Sequence, residues 1–234
     1  MNKGKRYSNS IKSYEREKRY SSEEALQLLK GFQKVKFDET VELHFNLGLD
    51  PRKVDQQIRS SLVLPKGRGK SMRILVFAEG EKAEEAKKAG ADFVGVENLV
   101  EKIQKDSWFD FDVAIATPNL MGKIGKIGRL LGPRGLMPNP KVGTVTNDIE
   151  AAVKESKSGK VEFRTDKFGN IHIPIGKTSF TKEDLKTNLL FVVSTILKKK
   201  PASVSGQYIK SITICSTMSP GIKFNINSIS LESK

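Results

Sequence analysis

Residues 67–71 have the sequence GRGKS, and the last three residues match the end of a phosphate-binding P-loop. In a P-loop, backbone amides and the lysine hold nucleotide phosphates. Leu64 stands where that motif requires its first glycine, and the apolar run RILVFA follows from residue 73 where a helix is needed. Because the helix dipole contributes to phosphate binding, the sequence argues against a nucleotide site here. An enzyme that binds a nucleotide in this part of the chain is the first alternative function.

Few residues could perform catalysis or bind a metal. Cys215 is the single cysteine, and the two histidines, His44 and His172, lie in separate alternating runs without a nearby nucleophile or pair of carboxylates. A structural zinc site typically needs four cysteine or histidine ligands. We therefore predict no catalytic residue, no metal and no cofactor, with both histidines in structural or surface roles and the thiol reduced.

A basic segment with the sequence GKIGKIGRLLGPRGLMPNPKVG contains no acidic residue. Cations placed among glycines and prolines suit close approach to phosphates. The alternative is a short helix and loop that pack their apolar side chains on a sheet, and both interpretations can hold. The cations of this segment are Lys123, Lys126, Arg129, Arg134 and Lys141, and its apolar residues are Ile124, Ile127, Leu130 and Leu131.

Two shorter segments could contact RNA. KFDET at residues 36–40 combines a cation, an aromatic ring and short polar groups, and TMSPG at residues 217–221 offers a hydroxyl, a thioether and backbone amides. The alternatives are the start of a strand with Phe37 in the core, and an ordinary turn.

The composition favours a polyanionic partner. The 234 residues carry 41 Lys and Arg against 27 Asp and Glu, a net charge of +14. A basic membrane-surface protein is the second alternative function, but it would need an amphipathic helix, and the N-terminal segment is too polar for one. The aromatic content of 7% disfavours stacking along single strands, so we expect recognition of a folded RNA.

The apolar patterns predict α/β and α+β segments in two domains. A capping box predicts a helix over 22–31, VELHFNLGL alternates as a strand, and residues 73–116 alternate strands with helices, as in a parallel sheet. Beyond a helix near 148–157, VEFRT and IHIPIG are predicted to form a hairpin, followed by a helix over 181–198 and strands at 207–216 and 222–226.

These changes of pattern predict a discontinuous α+β domain with an antiparallel sheet, built from residues 1–66 and 159–234, around an inserted α/β domain of residues 67–158. The insertion carries 15 basic and 13 acidic residues, whereas the terminal segments carry 26 and 14. We therefore expect the terminal domain to be the main RNA-binding domain.

The run from Ile115 to Thr146 resembles the signature of the family of bacterial large-subunit ribosomal protein L-one. KFDETVEL, LDPRKVDQQIR, FRTDKFGNIHIPIGK and STMSPGI resemble further segments of that family, in the same order. The resemblance implies a domain formed by both termini and a Rossmann-like, three-layer insertion. A Rossmann-like topology does not imply a dinucleotide, because fold alone does not specify function.

The resemblance also implies a function. Members of the family are non-catalytic proteins of the cytoplasmic ribosome, each a monomer within it, that bind the mobile stalk of large-subunit ribosomal RNA beside the tRNA exit site and assist release of deacylated tRNA. They also repress their own operon mRNA. Carried over to this sequence, the RNA-binding residues are Lys36, Phe37, Thr40, Glu42, Asp166, Lys167, Thr217, Met218 and Ser219.

Ser219 departs from the family pattern, which has glycine after the Thr-Met pair. Its Cβ would restrict a positive φ and hinder close approach of the backbone to RNA. We therefore expect this position to affect the local contact geometry.

Overall fold

The computed structural model describes residues 4–33 and 35–232, which form both helices and strands. The helices are α1 (Lys5–Lys12), α2 (Ser22–Gly31), α3 (Glu81–Lys88), α4 (Glu97–Asp106), α5 (Met121–Gly125), α6 (Gly128–Leu131), α7 (Ile149–Lys157), α8 (Lys182–Lys198) and α9 (Ile226–Glu232). The strands are β1 (Thr40–Leu47), β2 (Arg59–Val63), β3 (Ile74–Phe77), β4 (Phe93–Gly95), β5 (Val113–Ala116), β6 (Lys160–Arg164), β7 (Asn170–Lys177), β8 (Ile209–Ser216) and β9 (Ile222–Lys223).

The chain divides into two compact units. The terminal unit comprises Met1–Gly69 and Val161–Lys234, and the inserted unit comprises Lys70–Lys160. These bounds lie within three residues of those expected from the sequence, and independent folding of each domain stays a prediction. The expected ends of the terminal domain, residues 1 and 234, lie outside the described residues.

The terminal unit is built on a four-stranded sheet in the order β7-β1-β8-β9. Strand β1 is antiparallel to both of its neighbours, with Leu43 opposite Ile173 on one side and Ile214 on the other. Its alternating pattern buries Val41, Leu43, Phe45 and Leu47, which pack with α2 and α8 in one core. The polar residues of β1 therefore face away from that core.

The predicted helices of the terminal unit form. Ser21 caps α2 by accepting the Glu24 backbone N–H, while the Glu24 carboxylate accepts the Ser21 N–H, which is the predicted capping box. Thr181 caps α8 in a similar way by accepting the Asp184 N–H at 3.1 Å. The sequence pattern did not predict helices α1 and α9, which also form.

The predicted hairpin of VEFRT with IHIPIG is wrong. Strand β6 pairs with β2 in a separate two-stranded sheet, whereas β7 pairs with β1. A tight turn over residues 166–170 does connect the two segments, and Asp166 donates its N–H to the Asn170 carbonyl at 2.8 Å. Strand β7 instead pairs with β1 from Thr40 to Asn46, so only the turn resembles a hairpin.

The inserted unit is a parallel sheet with helices on both faces, as predicted. Its strand order is β4-β3-β5, and both pairings are parallel. Leu75 and Phe77 pack on one face with α4, α5 and α6, while Ile74 and Val76 pack on the other with α3 and α7. Burial on both faces explains why β3 is apolar throughout.

Among the described residues, no helix is long and apolar enough to cross a membrane.

Candidate nucleic-acid interface

One end of the four-stranded sheet joins two of the predicted RNA-binding segments. Thr40 donates its N–H to Thr217 Oγ1 at 3.1 Å, and Thr217 returns its N–H to the Thr40 carbonyl at 3.1 Å. Lys177, opposite Thr40 on β7, donates from Nζ to Thr40 Oγ1 at 2.9 Å. The structure therefore brings Lys36, Phe37, Thr40, Thr217, Met218 and Ser219 to one sheet end.

Glu39 stabilises this end of the sheet with a buried carboxylate. Its side chain is buried, with 5% of the residue exposed, and Oε1 accepts the Met218 N–H at 2.8 Å. The bond fixes the backbone of Met218, whose side chain is half exposed. Glu39 was not among the predicted contact residues, since a glutamate before a strand gives no sign in sequence that it will be buried.

Arg6, in helix α1, connects the 217–221 segment to Gln33, which precedes the 36–40 segment. Its guanidinium donates to the Met218 carbonyl at 2.7 Å and to the Gln33 carbonyl at 3.3 Å. The planar guanidinium suits two acceptors at once. Sequence analysis missed Arg6, because nothing in the basic N-terminal segment distinguishes this cation from its neighbours.

Asp38 fixes the loop that carries Phe37. Its carboxylate accepts bonds from Thr178 Oγ1 at 2.9 Å and from the N–H and Oγ of Ser179 at 3.1 and 2.7 Å. Burial raises the pKa of Asp38, but these hydrogen bonds and Lys177 lower it by more, so the carboxylate stays ionised. Phe37 leaves 54% of its surface exposed, and the alternative that placed it in the core is wrong.

Ser219 stabilises its own turn. Its Oγ accepts the Ser216 N–H at 2.8 Å, and its N–H donates to the Ser216 carbonyl at 3.1 Å. Ser219 does not adopt a positive φ, so the restriction expected from its Cβ does not arise in this backbone. Its place in the RNA contact stays a prediction.

Asp166 and Lys167 lie at the opposite end of the sheet. Asp166 Oδ1 accepts the N–H groups of Phe168 and Asn170 at 2.8 and 2.7 Å. Burial raises the pKa of Asp166, but hydrogen bonds from Asn170, Phe168 and His172 lower it by more. Lys167 is exposed at the tip of this turn. Asn170, at the end of this turn, pairs with Asn46, so the two residues lie beyond the far end of β1 from Thr40, and the strand itself is about 23 Å long.

The polar face of the sheet between the two ends carries Glu42, His44 and His172. His44 Nδ1 lies 2.7 Å from His172 Nδ1, and His44 Nε2 lies 3.1 Å from Cys215 Sγ. Glu42 Oε2 is 3.9 Å from His44 Nε2, and Asp166 Oδ2 is 3.6 Å from His172 Nε2. The two histidines, for which structural or surface roles were expected, form one hydrogen-bonded pair.

The protons of this pair can be assigned from Cys215. Burial raises the pKa of its thiol to about 11, with smaller contributions from Glu42 and Glu39, so the thiol stays protonated at neutral pH. We assign the S–H as a donor to His44 Nε2, which leaves His44 Nδ1–H to donate to His172 Nδ1. Burial, and to a lesser degree His172, lowers the pKa of His44, which agrees with a neutral ring.

The basic segment forms α5 and α6 of the inserted unit and the loop after them. Ile124, Ile127 and Leu131 are buried, as the packing alternative predicted, whereas Leu130 is exposed. Lys123 is paired with Glu79 and Glu97 at 3.0 and 3.2 Å. Arg134 lies over the ring of Phe109, 3.8 Å from its centroid. The other cations of the segment, Lys126, Arg129 and Lys141, are exposed.

Within residues 4–33 and 35–232, no group of three histidine, cysteine or acidic residues is arranged to hold a metal ion. The P-loop-like residues 67–71 lie before strand β3, and a strand follows them as the sequence indicated.

The chain was compared with models of known protein families. The model of the Ribosomal protein L1p/L10e family matches residues 29–220 of the chain. The matched range covers more than half of the 234 residues and includes every predicted RNA-contact residue, whereas Arg6 lies outside it. The match confirms the resemblance found in the sequence.

Proposed function

Because the chain belongs to the Ribosomal protein L1p/L10e family, whose members bind ribosomal RNA in the large subunit, we propose that it binds the mobile stalk of that RNA through its four-stranded sheet. Membership makes it a structural component of the cytoplasmic ribosome. The stalk, the contact residues and the further roles described below are proposals.

The joined sheet end of Thr40, Thr217 and Met218 is the observation that carries this proposal. Glu39 and Thr40 fix the backbone of residues 217 and 218 by hydrogen bonds, so hydroxyl groups and an exposed thioether are held in a defined arrangement. Lys36 and Phe37 project beside them and are exposed. Fixed hydroxyls and a nearby cation suit ribose 2′-hydroxyls and phosphates, which distinguish folded RNA.

Binding of the full-length protein to a stalk RNA fragment and to its DNA counterpart tests the proposal. We expect tight binding to RNA and binding to DNA at least tenfold weaker, because 2′-hydroxyl contacts are lost. Thr217→Val should weaken RNA binding, and Thr187→Val, at an exposed position of α8, should not. Equal binding of both nucleic acids, or an unaffected Thr217→Val variant, would contradict the proposed surface.

We also propose that the inserted unit contacts tRNA at the exit site and assists release of deacylated tRNA. The exposed cations Lys126, Arg129 and Lys141 support this role, since they are free to neutralise phosphates. Ribosomes carrying a variant with all three residues changed to Gln should release deacylated tRNA more slowly, with the stalk still occupied. An unchanged release rate would contradict this role.

A repressor role on the chain's own operon mRNA is the third proposal, and it uses the same sheet surface. If one surface binds both RNAs, stalk RNA should displace the mRNA competitively, and Thr217→Val should weaken both complexes in parallel. Simultaneous binding of the two RNAs would contradict a shared surface.

A further inference from the structure

Phe168 exposes an aromatic ring that the fold does not use. The residue leaves 81% of its surface accessible, and it lies at the tip of the turn between β6 and β7. A ring in this position adds no burial to the core of the terminal unit. The residues on its N-terminal side, Asp166 and Lys167, are charged, so the turn is not a continuous apolar patch of the kind that marks protein interfaces.

The backbone beneath this ring is fixed. Phe168 donates its N–H to Asp166 Oδ1 at 2.8 Å, and Gly169, at a φ of +78°, donates to the Asp166 carbonyl at 3.3 Å. The Gly169 carbonyl then accepts the Leu47 N–H at 3.1 Å, which ties the turn to the end of β1. The ring is held on a rigid base, so little backbone freedom remains to be lost on binding.

Phe168 and Phe37 lie at opposite ends of β1. Phe37, 54% exposed, precedes the first residue of the strand, and the Phe168 turn is bonded to the last. Strand β1 is about 23 Å long, since it has eight residues, and the two aromatic residues lie beyond its two ends. An RNA that covers the polar face from the Phe37 end as far as the Asp166 turn would also reach the neighbourhood of Phe168.

We propose that Phe168 stacks on an unpaired base of the bound RNA, an inference that rests on the proposed function of the sheet. Every base offers a π-face, and a base displaced from a folded RNA commonly stacks on an aromatic side chain. Lys167, the adjacent exposed residue, supplies the charge for the phosphate of the same nucleotide. Stacking at this position is compatible with the expectation that the chain does not stack along single strands, because two isolated rings can each contact only one base.

Binding of full-length variants to a stalk RNA fragment at fixed salt tests the stacking. We expect Phe168→Ala to weaken binding about 5- to 150-fold, as other base-stacking residues do. Phe168→Leu, which keeps apolar surface without a π-face, should lose most of that affinity, whereas Phe168→Trp should keep it. Since no charge is removed, the slope of log Kd against log salt should not change. Phe191→Ala is the matched control, because Phe191 is also exposed but lies on α8, across the core from the polar sheet face.

A second measurement locates the base. RNA with 5-iodouridine at unpaired positions of the stalk should form a photo-crosslink to Phe168 and lose it in Phe168→Ala. Equal affinity of wild type and Phe168→Ala, or of wild type and Phe168→Leu, would overturn the inference alone. If Phe168→Ala bound RNA normally but was retained less on large subunits, the ring would face a ribosomal protein, and the inference would be wrong. Absence of binding by the wild-type protein would overturn the proposed function as well.

Discussion

Arg6 and Met218 lie 212 positions apart in sequence, and a single guanidinium joins them. Arg6 bonds the Met218 carbonyl, and Glu39 accepts the Met218 N–H, so both backbone polar groups of Met218 are hydrogen-bonded. We therefore expect Arg6 to affect RNA binding through the positions of Met218 and Gln33.

Arg6→Lys should lower the affinity for stalk RNA about fivefold, because an ammonium keeps the charge but cannot bond both carbonyls in the same plane. Arg16→Lys makes the same change at an exposed residue and should bind as the wild type does. Fluorescence anisotropy with labelled RNA measures both variants. Unchanged binding of Arg6→Lys would show that the connection between the segments is dispensable.

The histidine pair makes stability depend on pH. The pKa of His44 is lower in the folded protein than in the unfolded chain, since burial and His172 disfavour its charge. The unfolded chain therefore takes up this proton first on acidification, so the stabilisation is present above pH of about 6.5 and is lost as the pH falls from there towards the folded pKa.

Urea unfolding at several pH values between 7.5 and 5.5 measures this effect. The wild-type protein should lose stability on acidification, and His44→Gln, which removes the titrating ring, should lose less over the same range. The comparison is between the two pH dependences, because the substitution also removes hydrogen bonds at every pH. Parallel curves would exclude His44 as the source.

At the scale of elements, Asn188 connects helix α8 to two other parts of the terminal unit. Its side chain is fully buried and donates to the carbonyls of Ile175 and Gly67 at 2.8 and 3.1 Å, and its Oδ1 accepts the Lys66 N–H at 3.0 Å. The amide thus bonds one backbone group of β7 and two backbone groups of the segment that follows β2.

Asn188→Ala should destabilise the protein by about 3 kcal/mol, because buried backbone groups lose their partners. Thr187→Ala, at the exposed neighbouring position of α8, should change stability by less than about 0.5 kcal/mol. The free energy of unfolding in urea measures both. A loss for Asn188→Ala as small as the control's would mean that water replaces the amide.

The sequence predicted the helices and strands better than it predicted which strands pair and which side chains meet. The 22–31 helix, the β1 strand and the parallel α/β sheet depend on local signals, a capping box and apolar periodicity, and all three form. The β6–β7 hairpin failed because a turn motif such as DKFGN indicates a reversal of the chain but not which strand pairs beyond it. The exposure of Phe37 and the pairing of His44 with His172 depend on contacts across the sheet, which no local pattern contains.

At the scale of the whole molecule, the net charge of +14 should make RNA binding strongly dependent on salt. Lys36→Gln and Lys167→Gln should each reduce the steepness of log Kd against log salt by about 0.8, since each removes one phosphate contact at opposite ends of the sheet. Lys198→Gln removes an exposed charge at the end of α8 and should leave the slope unchanged. Equal slopes for all three variants would show that Lys36 and Lys167 contribute only to the overall electrostatic field of the protein and not to specific phosphate contacts.

Strand β1 also determines when the RNA-binding sheet can first exist. Its two partners, β7 and β8, end at Lys177 and Ser216, whereas the inserted unit is complete by Lys160. A nascent chain emerging from a translating ribosome can therefore fold its middle while β1, already synthesised, still lacks both neighbours, and closing such long loops is slow. Newly made chains can therefore form the complete sheet only after β8 has been synthesised, so a nascent copy that has not yet reached Ser216 should not compete for the proposed RNA site.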